Sequence, residues 1–186
     1  MIDKHLPYTK DDCIRDTKEH ISQVREFMMI VANQIIQRAL VHDKSKLESP
    51  EVEIFTEYTP KLKSSTYGSD EYKGFLKGMG KALKHHYENN SHHPEHYKKY
   101  VCNGCFKEFK QMPNHCNVCM YSQFQEEPDI TQMNLLDIIE MFCDWKAATM
   151  RHNDGDIRKS IELNQKRFRY SDDLKKIFEN TITILE

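Results

Sequence analysis

The chain has 186 residues, 38% of them hydrophobic and 30% charged, and a formal net charge of −2 at neutral pH. That length suits one domain with a buried core, and the near balance of mixed charges gives no support to a polyanion-tracking surface or a solvating tail. The longest apolar run, around Phe27 to Ala32, is too short to span a bilayer, and the opening Met-Ile-Asp-Lys-His lacks an apolar signal region, so a cytoplasmic location without membrane attachment is expected.

Six glycines, six prolines and little Val/Thr alternation predict helices throughout. A capping box at Asp16-x-x-Glu19 opens the first, ahead of apolar positions Ile21, Val24, Phe27, Met28 and Val31. Ser49-Pro50 reads as the cap and first turn of a short helix. Ser69-Asp70-Glu71 starts another, running toward His85-His86. Pro128-Asp129 precedes a helix from about Thr131 to Arg151, which ends before Asn153-Asp154-Gly155. Amphipathic stretches follow at 156–168 and 171–185. Residues 101–121 stand apart in composition and read as a knuckle inserted into a single domain spanning 1–186. The expected architecture is an all-α compact bundle carrying that small knuckle.

Four of the six cysteines form Cys102-x2-Cys105-x10-Cys116-x2-Cys119, the spacing of a tetrahedral zinc site. Four thiolates close the coordination shell, so one structural Zn is expected there, folding a loop with little apolar content. The alternative is a recognition knuckle, with Phe106, Phe109, Lys107 and Lys110 contacting a base or a partner. Cys13 and Cys143 are single. Cys143 lies in an apolar segment and reads as a buried, inert thiol.

The ten histidines are grouped. A lone His20, the doublet His42-Asp43, and the pairs His85-His86 and His92-His93 precede an acid-rich helix with Asp137, Glu140 and Asp144. Imidazole and carboxylate are the ligand types that first-row divalent ions favour. Residues 20 and 42 on one straight helix would stand roughly 33 Å apart, so if both are ligands the chain must turn back, most simply near Asn33-Gln34. Asp144 has apolar neighbours and faces inward, so a metal or a basic side chain such as Arg38 must compensate it. Glu140 lies near that face and suits the task of orienting a histidine. One member of each histidine pair is expected on metal, the other on substrate phosphate or in proton transfer. His5, His96, His115 and His152 read as surface residues.

Taken together, His20, Val41-His42-Asp43-Lys44-Ser45-Lys46 and Asp144 resemble the H…HD…D signature of the HD-domain metal-dependent phosphohydrolases. The stretch from His85 to His96 and the segment Glu140-Met141-Phe142-Cys143-Asp144-Trp145 are similar to an uncharacterised HD-like family of bacteria and phages with H-D-x-S-K and HH…HHxE motifs. Ser45 departs from the glycine of many members, and the spacing of the later histidines differs from that of the cyclic-di-GMP phosphodiesterases, so no substrate carries over.

The resemblance implies an HD-like helical fold and hydrolysis of a phosphate ester, most simply a nucleotide. It implies one or two divalent ions (Mn, Fe, Ni, Mg or Zn) on His20, His42, Asp43 and Asp144, with His85, His86, His92 and His93 completing a second site. Asp43, Lys46, His86 and Glu140 would be catalytic, with Asp137 a further candidate for proton transfer; Lys46 and His93 would hold substrate. A diiron oxygenase is the alternative that the same resemblance implies. A non-enzymatic adaptor for nucleic acid or protein, working through the knuckle, is the third reading, which the near-neutral charge disfavours. Oligomeric state is left open by the sequence.

Overall fold

The structure is a computed structural model that describes residues 7–66, 68–151 and 155–186. His5, His152 and the helix stop at Asn153-Asp154 lie outside the described residues. The chain divides into two compact units, 1–41 and 42–186. The described residues are mostly helical, and none of their helices is long and apolar enough to cross a membrane.

The first unit is one helix, α1 (Lys10–Val41). Its capping box is closed by Thr9 and Asp12: the Asp12 N–H donates to Thr9 Oγ1 at 3.2 Å and the Thr9 N–H to Asp12 Oδ2 at 3.0 Å. The box expected at Asp16 and Glu19 therefore lies inside the helix. So do Asn33 and Gln34, where a turn was expected: α1 is unbroken, and His20 precedes Val41 by roughly 32 Å along the axis.

The second unit begins at His42. A 3-10 turn (Lys44–Leu47) leads to α2 (Glu51–Ser64), α3 (Asp70–Gly78) and α4 (Gly80–Asn89). Ser69 caps α3 as expected, accepting from the Tyr72 N–H at 3.1 Å, but the helix toward His85 is broken at Met79. A Cβ at Gly78 would lie 2.5 Å from the Tyr58 hydroxyl, so any larger residue there would force the Tyr58 ring of α2 to move.

Three short strands then interrupt the expected all-helical pattern: β1 (Lys98–Cys102), β2 (Glu108–Phe109) and β3 (Phe124–Pro128), antiparallel in the order β2-β1-β3. They frame the Cys-rich loop, so the insert is wider than 101–121. Strands this brief leave no alternation to read, and Tyr100 pairs with both Phe109 and Glu126.

Helix α5 (Leu135–Thr149) starts later than Thr131, because Asn134 and Asp137 form its capping box. The starts of α6 (Ile157–Phe168) and α7 (Asp172–Thr181) follow the sequence, with Asp156 and Ser171 as caps, but α7 ends at Thr181 and a 3-10 turn (Ile182–Ile184) takes up the rest of the stretch expected to reach 185. Met141, Phe142 and Trp145 of α5 pack with Ile157, Ile161, Phe168, Tyr170, Phe178 and Ile182 into the core. Phe142 stacks on Phe178 at 5.0 Å between ring centroids. Cys143 points away from that core and is exposed, contrary to the buried thiol expected.

Candidate metal centres

His42 and Asp43 follow directly on the last residue of α1, where the helical path is abandoned: Asp43 has φ 54 and ψ 17. Aspartate tolerates this left-handed backbone better than most residues. The reversal lets two sequence neighbours, which would diverge on a regular helix, turn toward one point: His42 Nε2 lies 3.5 Å from Asp43 Oδ2.

Around that point the second unit gathers residues from four segments. Asp43 Oδ1 lies 3.3 Å from His86 Nε2 on α4 and 3.5 Å from His92 Nε2, while His86 Nε2 and His93 Nε2 are 2.8 Å apart. Two ligands each about 2.1 Å from one ion are about 3.0 Å apart at octahedral angles and about 3.4 Å at tetrahedral ones. The observed edges are those of a first coordination shell. Asp43 Oδ1 and His92 Nε2 are moreover buried with no hydrogen-bond partner among the described residues, a costly condition that a cation would relieve. The residues fit a divalent ion.

A second group shares Asp43. His42 Nε2, Asp43 Oδ2 and Asp144 Oδ1 lie within reach of one ion, with His42 3.8 Å from Asp144. The Lys46 ammonium already sits on Asp43 Oδ2 at 2.5 Å, so this group is the less open of the two.

Two glutamates hold the imidazoles from behind. Glu140 Oε1 meets His42 Nδ1 at 2.8 Å and His92 Nδ1 at 3.1 Å. The fully buried Glu51 meets His85 Nδ1 at 2.7 Å with one oxygen and His86 Nδ1 at 2.9 Å with the other. A carboxylate on Nδ1 fixes the tautomer, so His42, His92 and His86 turn their Nε2 lone pairs inward. Ser45, the departure from glycine, lies 3.3 Å from His86 Nδ1 and accepts a hydrogen bond from Asn90 Nδ2 at 2.9 Å.

Of the expected ligands, the structure brings together His42, Asp43, His86, His92, His93 and Asp144. Among the described residues His85 joins neither group; it is partly exposed and its ring meets Glu51. His20 is likewise outside both, carried on the unbroken α1. Both members of the His92-His93 pair converge, where one was expected. His86 turns Nε2 into the ligand group, 2.8 Å from His93 Nε2, with Nδ1 held by Glu51. Asp137 is removed from proton transfer: Ser91 Oγ, Tyr97 OH and the Asn134 N–H all donate to it, and it is fully buried. Sequence reasoning missed Glu51 altogether, since an acid in a first helical turn already has a local explanation in the helix dipole.

The sequence matches the profile of a family of unknown function, DUF5662, over residues 9–184. The chain belongs to that family. No curated protein and no solved structure matches it. The match spans α1 to α7, and so takes in both ligand groups and the cysteine loop.

Electrostatics sort the imidazoles. Burial, with His92 and His86 alongside, pushes His93 down to about 2, and burial with Lys46 nearby lowers His86. Both are neutral at ordinary pH, the form that binds metal. Asp144 and Glu140 push His42 up to about 10. Burial raises the Asp43 carboxyl, but His92, Lys46 and His42 outweigh it and hold the group below the usual carboxylate range.

The four cysteines form a separate cluster, reduced and convergent: Cys102 Sγ is 3.5 Å from Cys119 Sγ, and Cys105 Sγ is 3.4 Å from Cys116 Sγ. The two Cys-x-x-Cys turns repeat one geometry. Gly104 N–H donates to Cys102 Sγ and Val118 N–H to Cys116 Sγ, each at 3.4 Å. Phe106 and Met120, one residue past each pair, have φ 60 and 62. This set of sulfur donors fits a tetrahedral zinc. Phe106 is 77% exposed, whereas Phe109 packs edge-on against Phe124 at 5.7 Å.

Proposed function

We propose that the chain is a metal-dependent phosphohydrolase of the HD type, acting on a small phosphate ester of the nucleotide class, with one structural zinc in the cysteine loop. The observation that carries this reading is the convergence of Asp43, His86, His92 and His93 on one point, with two of the inward-facing atoms lacking a hydrogen-bond partner among the described residues. That point adjoins a cavity of about 350 Å³, the size of a small-molecule site, lined by His86, His93, Asp144, Lys46, Lys63 and Arg151.

A divalent cation bound there would supply Lewis acidity, lowering the pKa of a water and offsetting phosphate charge. The chain's own part is to hold and screen. Glu140 and Glu51 fix the imidazoles, Asp43 and Asp144 supply negative charge, and Lys46 offers its ammonium to a phosphate oxygen at the cavity wall. Lys63 and Arg151 add positive charge to that wall, which suits an anionic ester. No membrane or nucleic-acid partner is needed.

The test is elemental analysis of protein purified without chelator, together with a screen of nucleotides for phosphate release. Stoichiometric manganese, nickel, magnesium or zinc beyond the structural zinc, with metal-dependent release, supports the reading. Because Asp43 belongs to both ligand groups, a bridged pair of ions is a second reading. Two irons with a visible absorption band and no phosphate release would favour oxidation of a C–H bond instead.

A further inference from the structure

Three buried side-chain polar atoms lack a hydrogen-bond partner among the described residues: Asp43 Oδ1, His92 Nε2 and Glu95 Oε2. The first two face each other in the ligand group and are explained by a cation. Glu95 needs another explanation. Its Oε1 accepts from the Arg167 guanidinium, while Oε2 has no hydrogen-bond partner among the described residues.

Position gives the orphan meaning. Glu95 sits in the 3-10 turn Pro94–His96, two residues after His93, so their Cα atoms are at most about 7 Å apart. Both residues line the cavity, as do Lys46 and Asp144. A ligand with its phosphate beside the ligand group would extend its alcohol half past Glu95. Phe55, Tyr72 and Leu76 in the same lining suit a flat ring. An acid placed in a cavity otherwise suited to anions would repel a second phosphate, and it rewards a neutral donor.

We propose that Glu95 is the specificity residue of this cavity, its Oε2 accepting a hydrogen bond from a hydroxyl or amino group on the alcohol half of the ester, with Arg167 as its positioning residue. This rests on the phosphohydrolase reading above. The substrate class narrows to phosphate monoesters of a nucleoside bearing a donor about one sugar's length from phosphorus. An ester of a simple alkyl or aryl alcohol leaves Oε2 unsatisfied and binds less well.

The test compares metal-loaded wild type with Glu95→Ala and Glu95→Gln on three probes: a purine ribonucleoside 5′-monophosphate, its 2′-deoxy analogue, and the analogue lacking the amino group on the base. Binding of the three parent nucleosides is followed by calorimetry, independently of turnover. Glu95→Ala is expected to raise KM by ~10- to 100-fold for probes that carry the donor, the worth of a hydrogen bond to a charged group, with kcat little changed. It should leave KM unaltered for the one analogue that lacks the donor, which tells hydroxyl from amino. Glu95→Gln, which keeps the shape and the pairing volume, should fall between. Metal content and circular dichroism should match wild type in at least the glutamine variant. Phosphate release with KM shifts that are absent or equal across the probes overturns the role of Glu95 and leaves the phosphohydrolase reading intact. No release by wild type, with nucleoside binding weakened selectively in the variants, overturns that reading and keeps the contact. Neither release nor binding by wild type overturns both.

Discussion

Asp43 and Glu51 show how two acids of one type come to opposite tasks. Asp43 combines a left-handed backbone with one oxygen on each ligand group, so it joins the candidate sites that His42 and the later histidines build. Asparagine keeps that backbone accessible and removes the charge, which makes Asp43→Asn a cleaner probe than alanine. It is expected to lower metal affinity by at least about a hundredfold and abolish turnover, with an unchanged far-UV spectrum. Retention of full metal content would remove Asp43 from the ligand set. Glu51 stands behind the ligands and gives each of two Nδ1–H groups its own oxygen. Glutamine has one acceptor where two are needed. Glu51→Gln should therefore weaken metal binding by about 10- to 100-fold, measured by competition with a chelating dye, whereas His85→Ala should have little effect. An equal loss in the two variants would place His85 on the metal after all.

The elements place these residues through packing that local sequence does not encode. Caps were legible where a polar residue begins a helix with no competitor, as at Ser69, Asp156 and Ser171. The grouping of His42, Asp43, His86, His92, His93 and Asp144 was legible because few demands other than a ligand site collect imidazoles in this way. The course of α1 was misread because pairing His20 with His42 was given more weight than an uninterrupted helical pattern. Glu51 was invisible because it meets His86 only through the packing of α2 on α4. The strands were missed because β1 to β3 draw their order from pairing and from the cysteine turns, not from apolar alternation. That last point is testable. The ribbon lies in sequence between His92-His93 and α5, and Asp129, just past β3, donates its N–H to Tyr97 O at 2.9 Å. Cys116→Ser, or a chelator strong enough to strip zinc, should deprotect the amides of 98–128 in hydrogen exchange by several orders of magnitude. The α5–α6–α7 core, closed by Phe142, Trp145 and Phe178, should keep most of its protection. Loss of protection in both at once would show that the ribbon and the core unfold as one.

For the whole molecule, the deciding balance is between protons and cations. His93, pushed down to about 2, and His86, also lowered, are neutral when folded but protonate near 6.5 when unfolded. Below about pH 6.5 the unfolded chain thus binds more protons, and stability of the metal-free protein falls as pH drops. Asp43 and Asp144, both held low, add a second loss as pH falls below their ordinary value near 3.8. His42 acts with the opposite sign. Its pKa of about 10 in the fold gives stability fully present below pH 6.5 and lost progressively as pH rises to 10. The melting temperature of metal-free protein should therefore pass through a maximum near neutrality. Metal reverses the alkaline limb, because a cation in the group of His42, Asp43 and Asp144 takes over the charge that the His42 proton supplies and must displace that proton to do so. The stabilisation from saturating manganese, read as the shift in melting temperature, should grow steadily from pH 6 to pH 9. If His42→Gln flattens the alkaline limb of the metal-free profile and cuts the proton release measured on adding metal, the second group is the one being filled. A shift that is constant with pH would mean that the cation displaces no proton, which rules out the group of His42, Asp43 and Asp144.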